Sequence, residues 1–287
     1  VSRSLLIFPF ATLGACLSPF TSMAQEITVQ YGRAAQAVVT PLTNEGSGSA
    51  SYTPYRRANS YISQDWWWYR VNGVSDREYA LPGGGTITQN RDNMATYDLH
   101  GVADGRFDAS RMMMIRSYGH VSSQTELFQS LYLTNTTNQD LSPTIFHYVD
   151  IDANGADLNT AHWDASRVPQ MRVTDPASDR FSNYQTWSAG TLDTFYQVGA
   201  SPVVLTLLTD ADTDDFGNAG LPFPEGDWTG GYEGDFLLPP HQQGFIGAAL
   251  STNKVIPTPG NVVLLAIGGC VVGGRRRRRP IESKEST

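Results

Sequence analysis

Through the middle of this chain, short apolar alternations are cut at close intervals by turn residues, and no long stretch carries apolar residues at helical spacing. A helix that buries one face needs apolar side chains every three to four residues, whereas a half-buried strand needs them at every second position. The second pattern recurs over Ile27–Tyr31, Trp66–Val71, Met112–Tyr118, Leu127–Thr134, Thr144–Ile151, Met171–Thr174 and Gly244–Leu250. Between them stand Gly73-Val74-Ser75-Asp76, Pro82-Gly83-Gly84-Gly85, Asp104-Gly105, Asn154-Gly155 and Pro222–Gly226, all turn chemistry. The expected fold is all-β, an antiparallel β-sandwich. Ser201–Thr209 stays open: Val203-Val204-Leu205 suits a strand, while Leu205 and Leu208 fit one helical face. Asn44–Ser51 is the most linker-like internal stretch, too short to divide two domains.

Both ends read as targeting segments. Arg3 supplies a positive n-region, Leu5 to Leu17 an uncharged apolar stretch, and Ser22-Met23-Ala24 a small-x-small cleavage site. Leu13-Gly14-Ala15-Cys16 also fits a lipobox, so cleavage before Gln25 and acylation at Cys16 are both open. At the other end Ile256-Pro257-Thr258-Pro259-Gly260 opens a 14-residue apolar run, Asn261 to Gly274, which stops at Arg275, Arg276, Arg277, Arg278 and Arg279. As a helix the run rises roughly 21 Å, short of a hydrocarbon core about 30 Å thick. Pro257 and Pro259 break the helix on one side, and the arginines hold the other side in the cytoplasm.

This breaker, apolar segment and arginine block resemble the C-terminal Pro-Glu-Pro sorting signal of Gram-negative surface proteins, in a Pro-x-Pro-Gly variant. The resemblance implies an exosortase-type processing peptidase as partner, transient inner-membrane anchoring by a short hydrophobic helix, and export to the cell surface or medium. An ordinary stop-transfer anchor is the plainer alternative. The expected organisation is a signal peptide over 1–24, a β-sandwich over 25–255 and a sorting signal over 256–287.

The whole chain carries 20 Lys+Arg and 28 Asp+Glu. Setting aside Arg3, Arg275–Arg279, Lys284, Glu282 and Glu285 leaves 13 basic and 26 acidic residues between the two ends, a net charge near −13. Such a surface argues against nucleic acid or anionic lipid as partner, since both are polyanions, and suits an extracellular domain that holds divalent cations. The two cysteines, Cys16 and Cys270, both lie in the targeting segments. The part between them has no disulfide, thiolate metal site or cysteine nucleophile. About 230 residues bury a substantial core without such staples.

Three internal blocks resemble a group of uncharacterised exported proteins that carry the same kind of tail. They are Trp66-Trp67-Trp68-Tyr69-Arg70-Val71-Asn72-Gly73 with Arg77-Glu78, then Phe146 to Gly155, then Leu207 to Asp210 through Pro222–Trp228 and Gly231. This resemblance implies class and location and carries no activity.

Within the chain, Asp150-x-Asp152-x-Asn154-Gly155-x-Asp157 is the strongest local candidate for chemistry. Oxygens at alternate positions before a glycine turn can wrap calcium, although the twelfth position is Ala161 and no bidentate Glu arrives. Asp210-x-Asp212-x-Asp214-Asp215 is a second version, and the two loops share an ion if the fold joins them. The bland alternative is aspartates capping turns. On a strand, Trp66 and Trp68 share one face and Trp67 and Tyr69 the other. One face then forms core and the other a flat platform for sugar rings, unless all four are core. Arg70 and Glu78 read as a bracing pair. Asp92, Asp98, Glu126 and Asp164 supply acids for a secreted hydrolase, but no spacing pairs them. His100, His120, His147, His162 and His241 are scattered, without a zinc pattern, and His147 reads as an ordinary strand residue. No nucleophile elbow, phosphate loop or dinucleotide fingerprint is present. The leading expectation is a non-enzymatic exported protein of the surface or extracellular matrix, associated with exopolysaccharide. The alternatives are a carbohydrate-binding module using Trp66–Tyr69 and a secreted hydrolase.

Overall fold

A computed structural model describes residues 25–33, 35–54, 59–117, 125–165, 170–178 and 180–252. The segments read as a leader and as a sorting signal with its apolar run, together with His120 and Tyr118, lie outside the described residues. Seventeen strands follow one another along the described chain. They begin with β1 (Ile27–Tyr31), β2 (Ala35–Thr40), β3 (Ser49–Pro54), β4 (Ile62–Val71), β5 (Tyr79–Ala80) and β6 (Thr86–Arg91). Next come β7 (Met94–Gly101), β8 (Phe107–Ser117), β9 (Thr125–Asn135), β10 (Pro143–Ile151), β11 (Asn159–Asp164) and β12 (Gln170–Asp175). The last are β13 (Arg180–Ala189), β14 (Thr191–Ala200), β15 (Phe223–Gly226), β16 (Trp228–Phe236) and β17 (Gln243–Thr252).

These strands form a nine-stranded sheet, β15-β11-β12-β13-β17-β9-β8-β7-β6, a five-stranded sheet, β14-β16-β10-β4-β5, and a three-stranded sheet, β1-β2-β3. The fold is the expected antiparallel sandwich. Strict alternation sets the large sheet: Phe107, Ala109, Arg111, Met113 and Ile115 of β8 are buried, and the residues between them are less so. The five-stranded sheet is different, because every residue of β10 and the last seven of β4 are buried. Its one face meets the large sheet, where Tyr69 packs edge-on against Phe107 and His147 reaches Tyr184. Its other face is covered by the segment around Phe216, which packs against Phe146, and by the helix Val203–Thr209 with Val204 and Leu208 turned inward. Within Ser201–Thr209, the segment left open, Val203–Thr209 therefore resolves as a helix. No helix among the described residues is long and apolar enough to cross a membrane.

One turn reading changes. Pro222–Gly226, read as a turn, contains β15, which pairs with β11 through Gly226 opposite Asn159. Asp104-Gly105 ends a single helical turn, Val102–Gly105, in which Ala103 and Asp104 stand at positive φ. Close packing explains Gly231 in β16: a Cβ there would lie 2.8 Å from the Phe216 ring and 2.9 Å from the His147 carbonyl oxygen. Those contacts are tighter than side chains tolerate.

Candidate functional site

Asp150, the penultimate residue of β10, lies beside β16, opposite Thr229. Carrying that antiparallel register two residues further sets Asp152 against Asp227, the single residue between β15 and β16. One carboxylate oxygen from each of Asp150, Asp152 and Asp227 lies within 4.8 Å of the others. The loop is shaped by buried Asn159, whose amide donates to the Ala156 carbonyl at 2.6 Å and whose oxygen accepts from the Ala153 N–H. Burial, Asp152, Asp227 and Asp157 push the Asp150 carboxyl up to about 7, against a hydrogen bond from Ser63. Burial, then Asp227 and Asp157, push Asp152 up to about 6. The groups that set these ionisations are chiefly other carboxylates, so the corner concentrates negative charge.

Two of the expected loop ligands behave otherwise. The Asn154 amide donates towards Asp175 and Ser178, away from the carboxylates. Asp157 is exposed and stands outside the set of three, though near enough to be felt by each. Asp227 escaped sequence reading because it lies some seventy residues downstream and only strand register brings it in.

The second acidic loop corrects the sequence expectation. Asp210, Asp212 and Asp214 form no three-carboxylate group among the described residues. The Asp210 carboxylate accepts from the Asp212 N–H at 3.2 Å, an ordinary capping turn. The Asp214 N–H donates to Glu78, and Asp215 pairs with Arg70. Arg70 also donates to Glu78 at 2.6 Å, so this loop is fastened by a guanidinium, and Arg70 and Glu78 are a brace as expected. Arg70 lies opposite Thr144 while Asp150 lies six residues further along β10, about 20 Å away at strand rise. The two loops do not share an ion.

The sugar platform at Trp66 and Trp68 is also corrected. Alternation assigns the faces as read, but both faces of β4 are covered, and Trp66, Trp67 and Trp68 are fully buried. The Trp66 indole N–H donates to the Leu81 carbonyl at 2.9 Å, and Trp67 packs on His147.

The exposed aromatics lie elsewhere. Between β14 at the edge of the small sheet and β11–β13 of the large one opens a cleft of about 760 Å³. Trp163, 39% exposed, stacks on Tyr196 with ring centroids 5.2 Å apart and planes 20° from parallel. Phe195 and Tyr232 add aromatic wall, and His162, Thr186, Thr194 and Asn218 add polar groups. None of the described lining residues is a carboxylate. Asn218 fixes the β14 side, since its oxygen accepts from the Tyr196 N–H at 3.0 Å. Trp163 and Tyr196 are thirty-three residues apart, and no local pattern joins them.

The acids considered for hydrolysis are dispersed. Asp98 accepts from Ser110, Glu126 pairs with Arg116, and Asp164 pairs with Arg172 at 2.7 Å. His147 is no ordinary strand residue, for it belongs to a polar cluster between the sheets. There Arg111 donates to Asp65 at 2.9 Å, Gln129 donates to Asp65 at 2.6 Å, and His147 Nδ1 lies 2.6 Å from the Tyr184 hydroxyl. All five side chains are buried, so no substrate reaches them.

Glu233, buried on β16, makes a separate pH prediction. Burial pushes its carboxyl from 4.5 up to about 7, with Asp235 and Asp215 adding to the rise and the Phe216 N–H and Arg70 opposing it. A carboxyl raised in the folded state binds its proton more firmly there, so stability is greatest below 4.5 and is lost as pH rises towards 7. Glu233→Gln should remove that loss and stabilise the protein by about 2–3 kcal/mol at pH 8. Denaturant melts of both proteins across pH 4–8 test this, and parallel curves would refute it.

No family model and no curated protein matches the chain. Among solved structures, a galactose mutarotase-like protein from Lactobacillus casei is 8% identical, with 80% of this chain and 100% of that one covered and a TM-score of 0.42. The Slr1438 protein from Synechocystis is 9% identical, with 80% and 96% covered and a TM-score of 0.43. Likeness at this level carries nothing about activity.

Proposed function

We propose that the chain is an exported bacterial surface protein that holds a glycan in the Trp163–Tyr196 cleft without chemically changing it. The observation that carries the binding reading is an exposed Trp163 stacked on half-buried Tyr196 in a cleft whose described lining has no carboxylate. Aromatic faces accept the apolar C–H faces of pyranose rings, and the amphipathic Trp and Tyr suit a site that is part wet. A few polar groups set in an apolar wall fix ligand orientation, a part that falls to His162, Thr194 and Asn218. Paired acids would be needed for glycoside hydrolysis, so the binding reading is preferred to the hydrolase. Exopolysaccharide is the natural ligand class for a protein sent to the surface by the Pro257-to-Arg279 signal after exosortase-type processing.

Protein recovered from the cell surface should have the intact mass of a chain beginning at Gln25 and lacking the arginine block. The same material should be retained by an array of bacterial polysaccharides, and Trp163→Ala or Tyr196→Ala should weaken retention at least about tenfold, or 1.4 kcal/mol. Because Trp163 is partly exposed, its variant should stay folded. A silent array, or full retention by both variants, would dispose of the glycan reading. A cytosolic chain with both ends intact would dispose of the export reading.

A further inference from the structure

The three-carboxylate corner has a second feature beyond crowding. Asp150 is only 7% exposed, and its Oδ1 is buried without a hydrogen-bond partner. An ionised carboxylate oxygen buried in this way is costly unless something compensates it. Ser63 donates a hydrogen bond to this carboxyl, but Oδ1 has no donor, and the neighbouring carboxylates, Asp152 and Asp227, are of like charge.

We propose that Asp150, Asp152 and Asp227 bind a calcium ion that pins together two of the places where the chain crosses between the sheets. The first crossing is the loop after Asp150 and Asp152, from β10 of the five-stranded sheet to β11 of the nine-stranded one. The second is Asp227 itself, from β15 of the large sheet to β16 of the small one. The Asp152 N–H is already tied to the Tyr61 carbonyl at 3.1 Å and the Ser201 N–H to the Asp227 carbonyl at 2.8 Å, so both crossings are placed before the ion arrives.

The chemistry selects the ion. Calcium–oxygen distances are about 2.3–2.6 Å, so oxygens on opposite sides of one ion stand about 5 Å apart. The separation of up to 4.8 Å fits ligands sharing one such ion. A set made only of carboxylates, without His or Cys, favours a hard cation. The irregular loop between Asp152 and Asn159 suits the flexible coordination of calcium better than the strict octahedron of magnesium. Exposed Asp157 supplies further negative charge beside the site. The proposal does not depend on glycan binding.

The test is calorimetric titration of calcium into the full chain after chelator treatment, with thermal melts in parallel. A single saturable site should appear, and calcium at a hundredfold excess over Kd should raise Tm by about 5 °C or more. Asp227→Asn, at an exposed position where folding is not at risk, should weaken binding at least about tenfold, while Asp214→Asn in the other acidic loop should leave it unchanged. No heat and no shift at millimolar calcium would overturn the proposal. So would undiminished binding by Asp227→Asn, loss of binding in Asp214→Asn, or equal stabilisation by magnesium.

Discussion

Trp66→Ala is expected to destabilise the protein by about 3–5 kcal/mol, the range for removing a fully buried large aromatic. In a domain of this size that corresponds to a fall in Tm of about 10 °C. The side chain has no exposed surface, stands edge-on to Tyr97 at 6.0 Å, and lies under the Arg111 guanidinium at 4.6 Å. Its removal opens a cavity beside Tyr97 and Arg111 and leaves the Leu81 carbonyl without its indole donor. Trp66→Phe keeps most of the volume and should cost about half as much. A surface sugar platform predicts the opposite pattern, with an unchanged melt and lost polysaccharide retention. Thermal melts and polysaccharide retention of both variants separate the two readings, and an unchanged melt for Trp66→Ala would show that the aromatic run is not core.

The same run shows what local pattern can and cannot carry. Alternation assigned the faces of β4 correctly because side-chain direction in a strand depends on the strand alone. Whether a face is wet depends on what covers it, and here the cover comes from Tyr97 and Arg111 over Trp66 and from the loop at Asp214 and Asp215 over Arg70. Each of the seven strands expected from alternation falls inside an observed one over its described residues. The strands passed over have other compositions. Strand β16 reads Trp-Thr-Gly-Gly-Tyr-Glu-Gly-Asp-Phe, turn-like by composition, yet it pairs on both sides, and Gly231 leaves room for the Phe216 ring against it. Strand β13 is polar in composition, and its inward Tyr184 serves the interior polar layer.

Sites divide in the same way. Asp150 and Asp152 are adjacent enough for spacing to reveal them, whereas Asp227 enters only through β10–β16 register. The loop at Asp210 has an equally suggestive spacing, and its backbone and Asp215 are instead taken by Glu78 and Arg70. Acidic spacing thus nominates a loop, and tertiary partners decide whether its oxygens remain available to an ion.

The buried cluster at Asp65 makes the sharpest statement about how the two sheets are held in register. Burying charge is costly, and a buried pair recovers that cost only when its geometry is good and its remaining polar atoms are served. Here burial opposes ionisation of Asp65, but His147, Arg111 and Gln129 together hold its carboxyl below the usual carboxylate range. Asp65→Ala should therefore cost about 3–5 kcal/mol, because Arg111 is left charged and uncompensated between the sheets. Replacing both partners, Asp65→Leu with Arg111→Met, should recover most of that loss, since an apolar pair needs no compensation. The pH dependence follows from the direction of the shift. A carboxyl depressed in the folded state stabilises above its unfolded pKa of about 3.9 and loses that contribution as pH falls through its folded value. The native protein should lose this increment in acid, and the double variant should not. Equilibrium unfolding of the single and double variants at pH 7 and pH 3 supplies the measurement. A double variant as unstable as Asp65→Ala at pH 7 would mean that Asp65 matters for something other than balancing Arg111, and the register-holding role would have to be abandoned.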